Sequence, residues 1–227
     1  TWKRSWNSIG TCWKKASTEK PWLGRGQIRS DQPNGWKTIS PSAIPFNEGE
    51  EPPIEMTLED IKSVQEDFVQ ATKRSIKAGY QIIEIHAAHG YLIHQFLSPL
   101  VNKRTDDYGG GFENRVRFLI EVVYKVRQEL TNQSLWVRIS ASDWVENGWD
   151  IEQSVALSKL LKKRGVEVID VSSGGAVRHQ KIITGPNYQV PFATQIKQKT
   201  GIITGTVGMI TEAKQAEAIL QEDKADL

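Results

Sequence analysis

Cysteine, long apolar runs and an excess of either charge are nearly absent from this sequence of 227 residues. Its one cysteine, Cys12, excludes a small domain held together by disulfides. No apolar run approaches the roughly 20 residues that cross a membrane, and no signal or transit peptide pattern is present. We therefore expect a cytoplasmic protein with a reduced thiol and no membrane partner.

Charge is almost balanced, because 29 basic and 27 acidic residues leave a net charge of +2. Lys and Arg form no extended run, so the sequence lacks the basic patch that nucleic-acid binding requires. We expect no nucleic-acid partner. A hydrophobic content of 38% is enough for a globular protein with a sizeable core.

The chain divides into an irregular first part and a regular second part. Five of the eight Trp residues fall within the first 36 positions, without any apolar periodicity around them. Residues 15–56 are rich in Gly, Pro, Asn and Ser, which is typical of turns, and we interpret them as a long excursion loop. Residues 57–227 form the regular part.

Helices and strands alternate in the regular part. Thr57 and Asp60 predict a capping box that opens a helix ending near Lys77. The apolar patterns predict strands at residues 81–87, 135–140, 167–172 and 202–207. They predict intervening helices at 112–130, 151–164 and 191–199, and a last helix from Thr211. This alternation indicates right-handed βαβ units and a parallel sheet.

The predicted strands carry one apolar and one polar face. Ile83 and Ile85 alternate with Glu84 and His86, and the next two strands place Arg138 and Asp170 in the same way. A doubly wound sheet, covered on both sides, would have nearly continuous apolar strands. The sequence therefore predicts an α/β fold that is part of a (β/α)8 TIM barrel, with polar groups near the strand ends.

His86 and His89 lie in the densest group of polar residues. Three positions apart on a regular strand they would face opposite sides, so they converge only if the strand ends near Ala87 and turns at Gly90. Converging, they form either a pair of N–H donors or two metal ligands. Glu84, His94 and His179 are poorly placed as a third ligand, so we predict no metal. Two histidines satisfied by backbone groups are the remaining alternative.

Four segments together resemble the old yellow enzyme family, in particular its NADPH dehydrogenase and xenobiotic reductase branch. The most specific is residues 83–115, IEIHAAHGYLIHQFLSPLVNKRTDDYGGGFENR. Residues 137–143, 169–174 and 204–211 match the next three strands of the family in order. The resemblance covers about residues 15–227, although Gly111 stands where the family usually has Ser.

The resemblance implies an FMN-dependent barrel that takes a hydride from NAD(P)H and passes it to an activated alkene. By matching position, His86 and His89 bind the substrate oxygen that gains negative charge, which is oxyanion stabilisation. Tyr91 matches the proton donor, and a phenol with a pKa of about 10 is protonated at neutral pH. Arg138 matches the cation beside the flavin, and Gly208 part of the phosphate site. Taken alone, Arg138 could instead pair with Glu84 or Asp170, and Tyr91 could be a packing aromatic.

The resemblance also predicts an incomplete barrel. The matched strands are about the fourth to the seventh, and the first, second and eighth are missing. Residues 6–13, WNSIGTCW, stand where the third strand belongs, and a one-base shift of a possible coding sequence yields that strand, GIQLAHAG. We therefore predict that residues 1–14 are translated out of frame. Alternatives are an inactive remnant without flavin and a half-barrel scaffold; the intact protein could form a homo-oligomer.

Overall fold

A computed structural model describes residues 16–20, 22, 24 and 26–227. The predicted out-of-frame segment 1–14, with Cys12, lies outside these residues. The described chain is an α/β structure with two parallel sheets. The small sheet pairs β1 with β2, and the large sheet has the order β3-β4-β5-β6. The strands are β1 Ile39–Ser40, β2 Ile54–Glu55, β3 Ile82–Ala87, β4 Ser134–Ser140, β5 Val168–Ser172 and β6 Ile203–Thr206.

Six helices accompany these strands in the described part of the chain. The helices are α1 Leu58–Lys77, α2 Leu92–Leu97, α3 Phe112–Glu129, α4 Ile151–Lys162, α5 Val190–Thr200 and α6 Ala213–Gln221. At the start of α1, the Thr57 side chain accepts the N–H of Asp60 and the Asp60 carboxylate accepts the N–H of Thr57. This reciprocal pair is the predicted capping box, and it satisfies two helix-end donors.

The strands have the two faces that their sequence predicts. Ile83, Ile85, Val137 and Ile139 are buried in the main hydrophobic core. The helices form a continuous layer, in which α1 packs on α3, α3 on α4, and α4 on α5. The opposite face, which carries Glu84, His86, Arg138 and Asp170, is only partly buried. An apolar outer face and a polar inner face are typical of strands in (β/α)8 enzymes.

The structure differs from the local predictions at two helices. The sequence predicts no helix at α2, because all six of its residues are buried and so give no amphipathic period. Helix α6 begins at Ala213 rather than Thr211, since the Gln215 side chain accepts the Thr211 N–H ahead of the first turn. The short strands β1 and β2 lie within the segment that we interpreted as an excursion loop.

Among the described residues, no helix combines the length and the apolar character needed to span a membrane.

Candidate active site

The turn after β3 brings the two predicted histidines together. His89 and Gly90 both adopt left-handed backbone conformations, with φ of 59° and 71°. The chain therefore reverses, and the ring centroids of His86 and His89 lie 5.1 Å apart. His89 Nδ1 is 3.3 Å from His86 Nε2. The two ring nitrogens are thus within hydrogen-bond distance of each other, and the tautomers of the rings determine which one donates.

Hydrogen bonds with side chains of two elements, β4 and α2, hold this turn. The His89 N–H donates to Ser140 Oγ (2.9 Å), at the end of β4. The Gly90 N–H donates to His94 Nδ1 (2.8 Å), and Gln95 Nε2 donates to the Gly90 carbonyl (2.7 Å). Backbone groups of the turn are thus satisfied by side chains, which fixes where the His89 ring lies.

His94 and Asp143 form a fully buried pair behind the turn. His94 Nε2 lies 2.9 Å from Asp143 Oδ1, and neither side chain is exposed. The other carboxylate oxygen accepts Ser98 Oγ (2.6 Å) and the Trp149 N–H (2.8 Å). Burial alone would raise the pKa of Asp143, but His94, Ser98 and the Trp149 N–H outweigh it and lower the pKa.

Tyr91 completes the group at the carboxyl end of β3. It occupies the N-cap position of α2, where its N–H donates to the Ala88 carbonyl (3.1 Å). Its ring centroid lies 5.0 Å from that of His86 at a tilt of 58°. The structure therefore brings together all three residues that we predicted to be catalytic.

Arg138 lies on the same inner face, one strand along from His86. The sheet register pairs it with His86 on β3 and with Asp170 on β5. Arg138 Nε approaches Asp170 Oδ2 to 3.2 Å. The ion pair with Asp170, one of the alternatives left open by the sequence, is thus present.

Ionisable groups on this face have displaced pKa values. Burial, with the Asp170 charge adding to it and Arg138 opposing it, raises the pKa of Glu84 to about 7. Burial, and then the positive charge of Arg138, lowers the pKa of His86 to about 4. Burial also raises the pKa of Asp170, against the effect of Arg138. At neutral pH, therefore, His86 is an uncharged imidazole and Glu84 is partly protonated.

The raised pKa of Glu84 predicts a pH-dependent cost in stability. Between pH 4.5 and about 7 the folded protein binds a proton that the unfolded chain has released, so stability falls as the pH rises through this range. In the wild type, the free energy of unfolding should fall between pH 5 and pH 8 because Glu84 loses its proton. Urea unfolding of Glu84→Gln should show a fall that is smaller by about 1 to 3 kcal/mol. Glu217→Gln, at an exposed position, should keep the wild-type dependence of the free energy of unfolding on pH. The same pH dependence in both variants would contradict the prediction.

Gly208 lies in the segment between β6 and α6. Its φ is 118°, and a Cβ added there would lie 3.1 Å from two ring carbons of Tyr188. Its carbonyl accepts the Asn187 N–H (3.0 Å). The segment borders an open cavity of about 410 Å³, also lined by Ile219 and Leu227. The structure places Gly208 at the same edge of the sheet as the histidines, just after β6, the strand furthest from β3.

Comparison with known proteins identifies the family. A family model described as NADH:flavin oxidoreductase / NADH oxidase matches residues 22–227. The chain is 52% identical over 189 residues to the NADPH dehydrogenase of Bacillus pumilus, covering 83% of this chain and 55% of that protein. The chain belongs to this family, the old yellow enzymes. The resemblance predicted from residues 83–115 is confirmed.

Other old yellow enzyme relatives extend the match. An NADH:flavin oxidoreductase of Gibberella zeae is 43% identical over 228 residues, covering 92% of this chain and 55% of that protein. The solved structure of morphinone reductase has a TM-score of 0.69 at 29% identity, covering 86% of this chain and 55% of that one. A 2-naphthoyl-CoA reductase structure has a TM-score of 0.79 at 27% identity, covering 85% of this chain and 30% of that one. The chain thus spans about half the length of the curated relatives it matches.

Membership of the old yellow enzyme family implies FMN, with NAD(P)H as the hydride donor, and the residues present fit this cofactor. Arg138 Nε is buried, and although it lies 3.2 Å from Asp170 Oδ2 it makes no well-aligned hydrogen bond with the described residues, so the guanidinium suits an anionic ring edge. Because Glu84 is partly protonated at neutral pH, Asp170 is the carboxylate that balances most of the Arg138 charge. Gly208 has a φ of 118° and lies against Tyr188, so this position favours glycine, and it stands in the segment before α6, where backbone N–H groups are able to bind a phosphate.

No group of three or more His, Cys, Asp or Glu within the described part of the chain is arranged to hold a metal ion. His179 is exposed on the loop after β5.

Sequence reasoning missed the residues that support the histidines. Ser140 and Ser172 end β4 and β5, each two positions beyond a predicted polar residue on the same face. The period of two that identified Arg138 and Asp170 therefore contains the signal for both serines. The His94–Asp143 pair joins positions far apart in sequence, and no local pattern points to it.

Proposed function

We propose that this chain is part of an FMN-dependent NAD(P)H oxidoreductase of the ene-reductase type, in the xenobiotic reductase-like branch. FMN reduced by NAD(P)H would supply the hydride, and the substrate would be a small activated alkene or similar electrophile. The observation that carries the proposal is the 3.3 Å separation of His86 Nε2 and His89 Nδ1, with Tyr91 packed beside them.

The histidine pair is suited to bind an oxygen that becomes negative. The Ala88 N–H donates to His86 Nδ1 (3.2 Å), so the proton of this neutral ring resides on Nε2. His86 Nε2 is therefore a donor, and it lies on the side of its ring that faces His89 Nδ1. In the proposed function each imidazole turns one N–H toward the bound substrate, and two such donors stabilise the charge that develops on a carbonyl or nitro oxygen as hydride arrives at the β-carbon.

Tyr91 would donate the proton that completes the reduction. Its ring centroid lies 5.0 Å from that of His86, so Tyr91 stands beside the proposed oxygen-binding pair. A protonated phenol is a competent acid toward a carbanion-like α-carbon. Arg138 would bind the flavin edge and Gly208 the phosphate, each from the inner face or carboxyl edge of the sheet.

We further propose that β3 to β6 are about the fourth to the seventh strands of a (β/α)8 barrel. At the open edge of β6, the Leu227 N–H donates to the Thr204 carbonyl (3.1 Å) and the Thr206 N–H donates to the Leu227 carbonyl (3.0 Å). These two bonds are those of a parallel ladder, so this edge accepts a further strand. The out-of-frame origin of residues 1–14, the cytoplasmic location and a homo-oligomeric state stay predictions.

The test uses the complete protein that contains these residues. We expect the purified protein to hold FMN, to oxidise NAD(P)H with a cyclic enone as acceptor, and to bind 4-nitrophenolate through the histidine pair. His86→Ala or His89→Ala should weaken 4-nitrophenolate binding by about 1 to 3 kcal/mol, because each variant removes one donor from a charged oxygen. Absorbance titration measures the Kd.

His179→Ala is the control among the histidines, since His179 is exposed and is not one of the proposed site residues. It should leave the Kd unchanged. A protein without FMN or enone-dependent NAD(P)H oxidation, or equal losses in all three variants, would refute the proposed function.

A further inference from the structure

Gly90 joins the two residues to which the proposed function gives different tasks. His89 precedes it and would bind the substrate oxygen, and Tyr91 follows it and would donate the proton. Two peptide planes separate these side chains, and the φ and ψ angles of Gly90 set how one plane is turned against the other. Gly90 has a φ of 71° and no Cβ, so its own preferences select no single conformation. Other groups must fix the geometry at this residue.

Side chains of α2 hold both peptide planes. In the plane before Gly90, the Gly90 N–H donates to His94 Nδ1 (2.8 Å). In the plane after it, the Gly90 carbonyl accepts a hydrogen bond from Gln95 Nε2 (2.7 Å). Gly90, His94 and Gln95 are all buried, so water does not compete for either bond. Rotation of either plane would leave a buried polar group without its partner, which is costly.

A second contact fixes each of these two side chains. His94 Nε2 lies 2.9 Å from Asp143 Oδ1, a close contact that is not well aligned. Because Nδ1 accepts the Gly90 N–H, the proton of a neutral His94 ring resides on Nε2, on the side of the carboxylate. Ser40 Oγ, in β1, donates to Gln95 Oε1 (3.0 Å), which leaves the amide nitrogen for Gly90. These contacts connect Gly90 to β1 and to the loop after β4.

We propose that His94 and Gln95 are positioning residues that fix the two peptide planes at Gly90. They thereby set where the Tyr91 phenol lies relative to the His89 imidazole. The two groups must act on one substrate, the imidazole at its oxygen and the phenol at its α-carbon, so a change in the angle between the planes would separate their actions. The inference rests on the proposed function of His89 and Tyr91, and neither positioning residue touches the substrate in it.

The first experiment compares two substitutions of His94 in the complete, FMN-loaded protein. Asparagine has a side-chain oxygen near the place of Nδ1 and is able to accept the Gly90 N–H, whereas leucine is not. We expect His94→Leu to slow reduction of a cyclic enone by about 10- to 100-fold, because misplaced reacting groups lose rate to this extent. His94→Asn should retain most of the wild-type rate. Reduction of FMN by NAD(P)H and the FMN content should change little in either variant.

The pair of variants separates positioning from stability. Both lose the contact with Asp143, so both should lower the midpoint of urea unfolding to a similar extent. A role of His94 in stability alone therefore predicts equal enone rates in the two variants, and equal rates would overturn the inference. If His94→Leu does not fold, Gln95→Met takes its place, since methionine keeps the length of the side chain but lacks the donor to the Gly90 carbonyl. A wild-type enone rate in Gln95→Met would also overturn the inference.

Hydrogen exchange of the wild type needs no variant. The Gly90 amide should exchange as slowly as amides of the core, and rapid exchange would show that His94 does not hold it. The Kd for 4-nitrophenolate distinguishes this inference from the proposed function. If His86→Ala and His89→Ala weaken binding while His94→Leu reduces the enone at the wild-type rate, only the positioning role fails. If the two alanine variants bind normally, the proposed function fails as well.

Discussion

Tyr91→Phe should slow the reduction of a cyclic enone by about 10² to 10⁴-fold while leaving reduction of the cofactor by NAD(P)H nearly normal. The phenylalanine ring keeps the packing against His86, whose centroid lies 5.0 Å away, and only the hydroxyl is lost. Oxidation of NAD(P)H requires no proton from Tyr91. Reduction of the alkene does, because its α-carbon must receive a proton. Stopped-flow absorbance follows the two half-reactions separately.

Two comparisons make the Tyr91 result specific. Tyr124→Phe changes a tyrosine that is 62% exposed on α3, and it should alter neither half-reaction. The Tyr91→Phe substitution should slow the reduction of a nitroalkene less than the reduction of an enone, because the nitronate product is stable until water protonates it. If both half-reactions slow alike, Tyr91 shapes the pocket and another group supplies the proton.

The parts of the site that follow from local periodicity were predictable. Alternation along β3 and β4 placed His86 and Arg138 on the inner face, because successive side chains of a strand point to opposite sides. The turn at Gly90 was predictable for the same reason, since the two histidines could meet only if the strand ended. The capping box at Thr57 is equally local.

The parts that depend on distant contacts were not predictable. Helix α2 is buried on all sides, so its sequence lacks the polar face that identifies a helix at the surface. The contact of Ser172 with His89 joins two segments of the chain across β4, and only the fold brings them together. Nor does the sequence show that Gly90 is held by His94.

His94 and Asp143 link the stability of the core to the geometry of the site. The Gly90 N–H donates to His94 Nδ1, which leaves the ring proton on Nε2, facing Asp143. The carboxylate also accepts bonds from Ser98 and Trp149. Removing it leaves three buried donors without their acceptor, and each unsatisfied donor costs stability.

Asp143→Ala should therefore lower the free energy of unfolding by about 3 to 5 kcal/mol, measured by urea unfolding at pH 7. The lowered pKa of Asp143 means that its stabilisation is present above its ordinary value of 3.8 and is lost as the pH falls through the lowered pKa. The difference from wild type should shrink accordingly in acid. Asp107→Ala, at an exposed position, should change stability by less than about 0.5 kcal/mol. A loss in Asp143→Ala no larger than in this control would show that the buried pair contributes nothing to holding the turn.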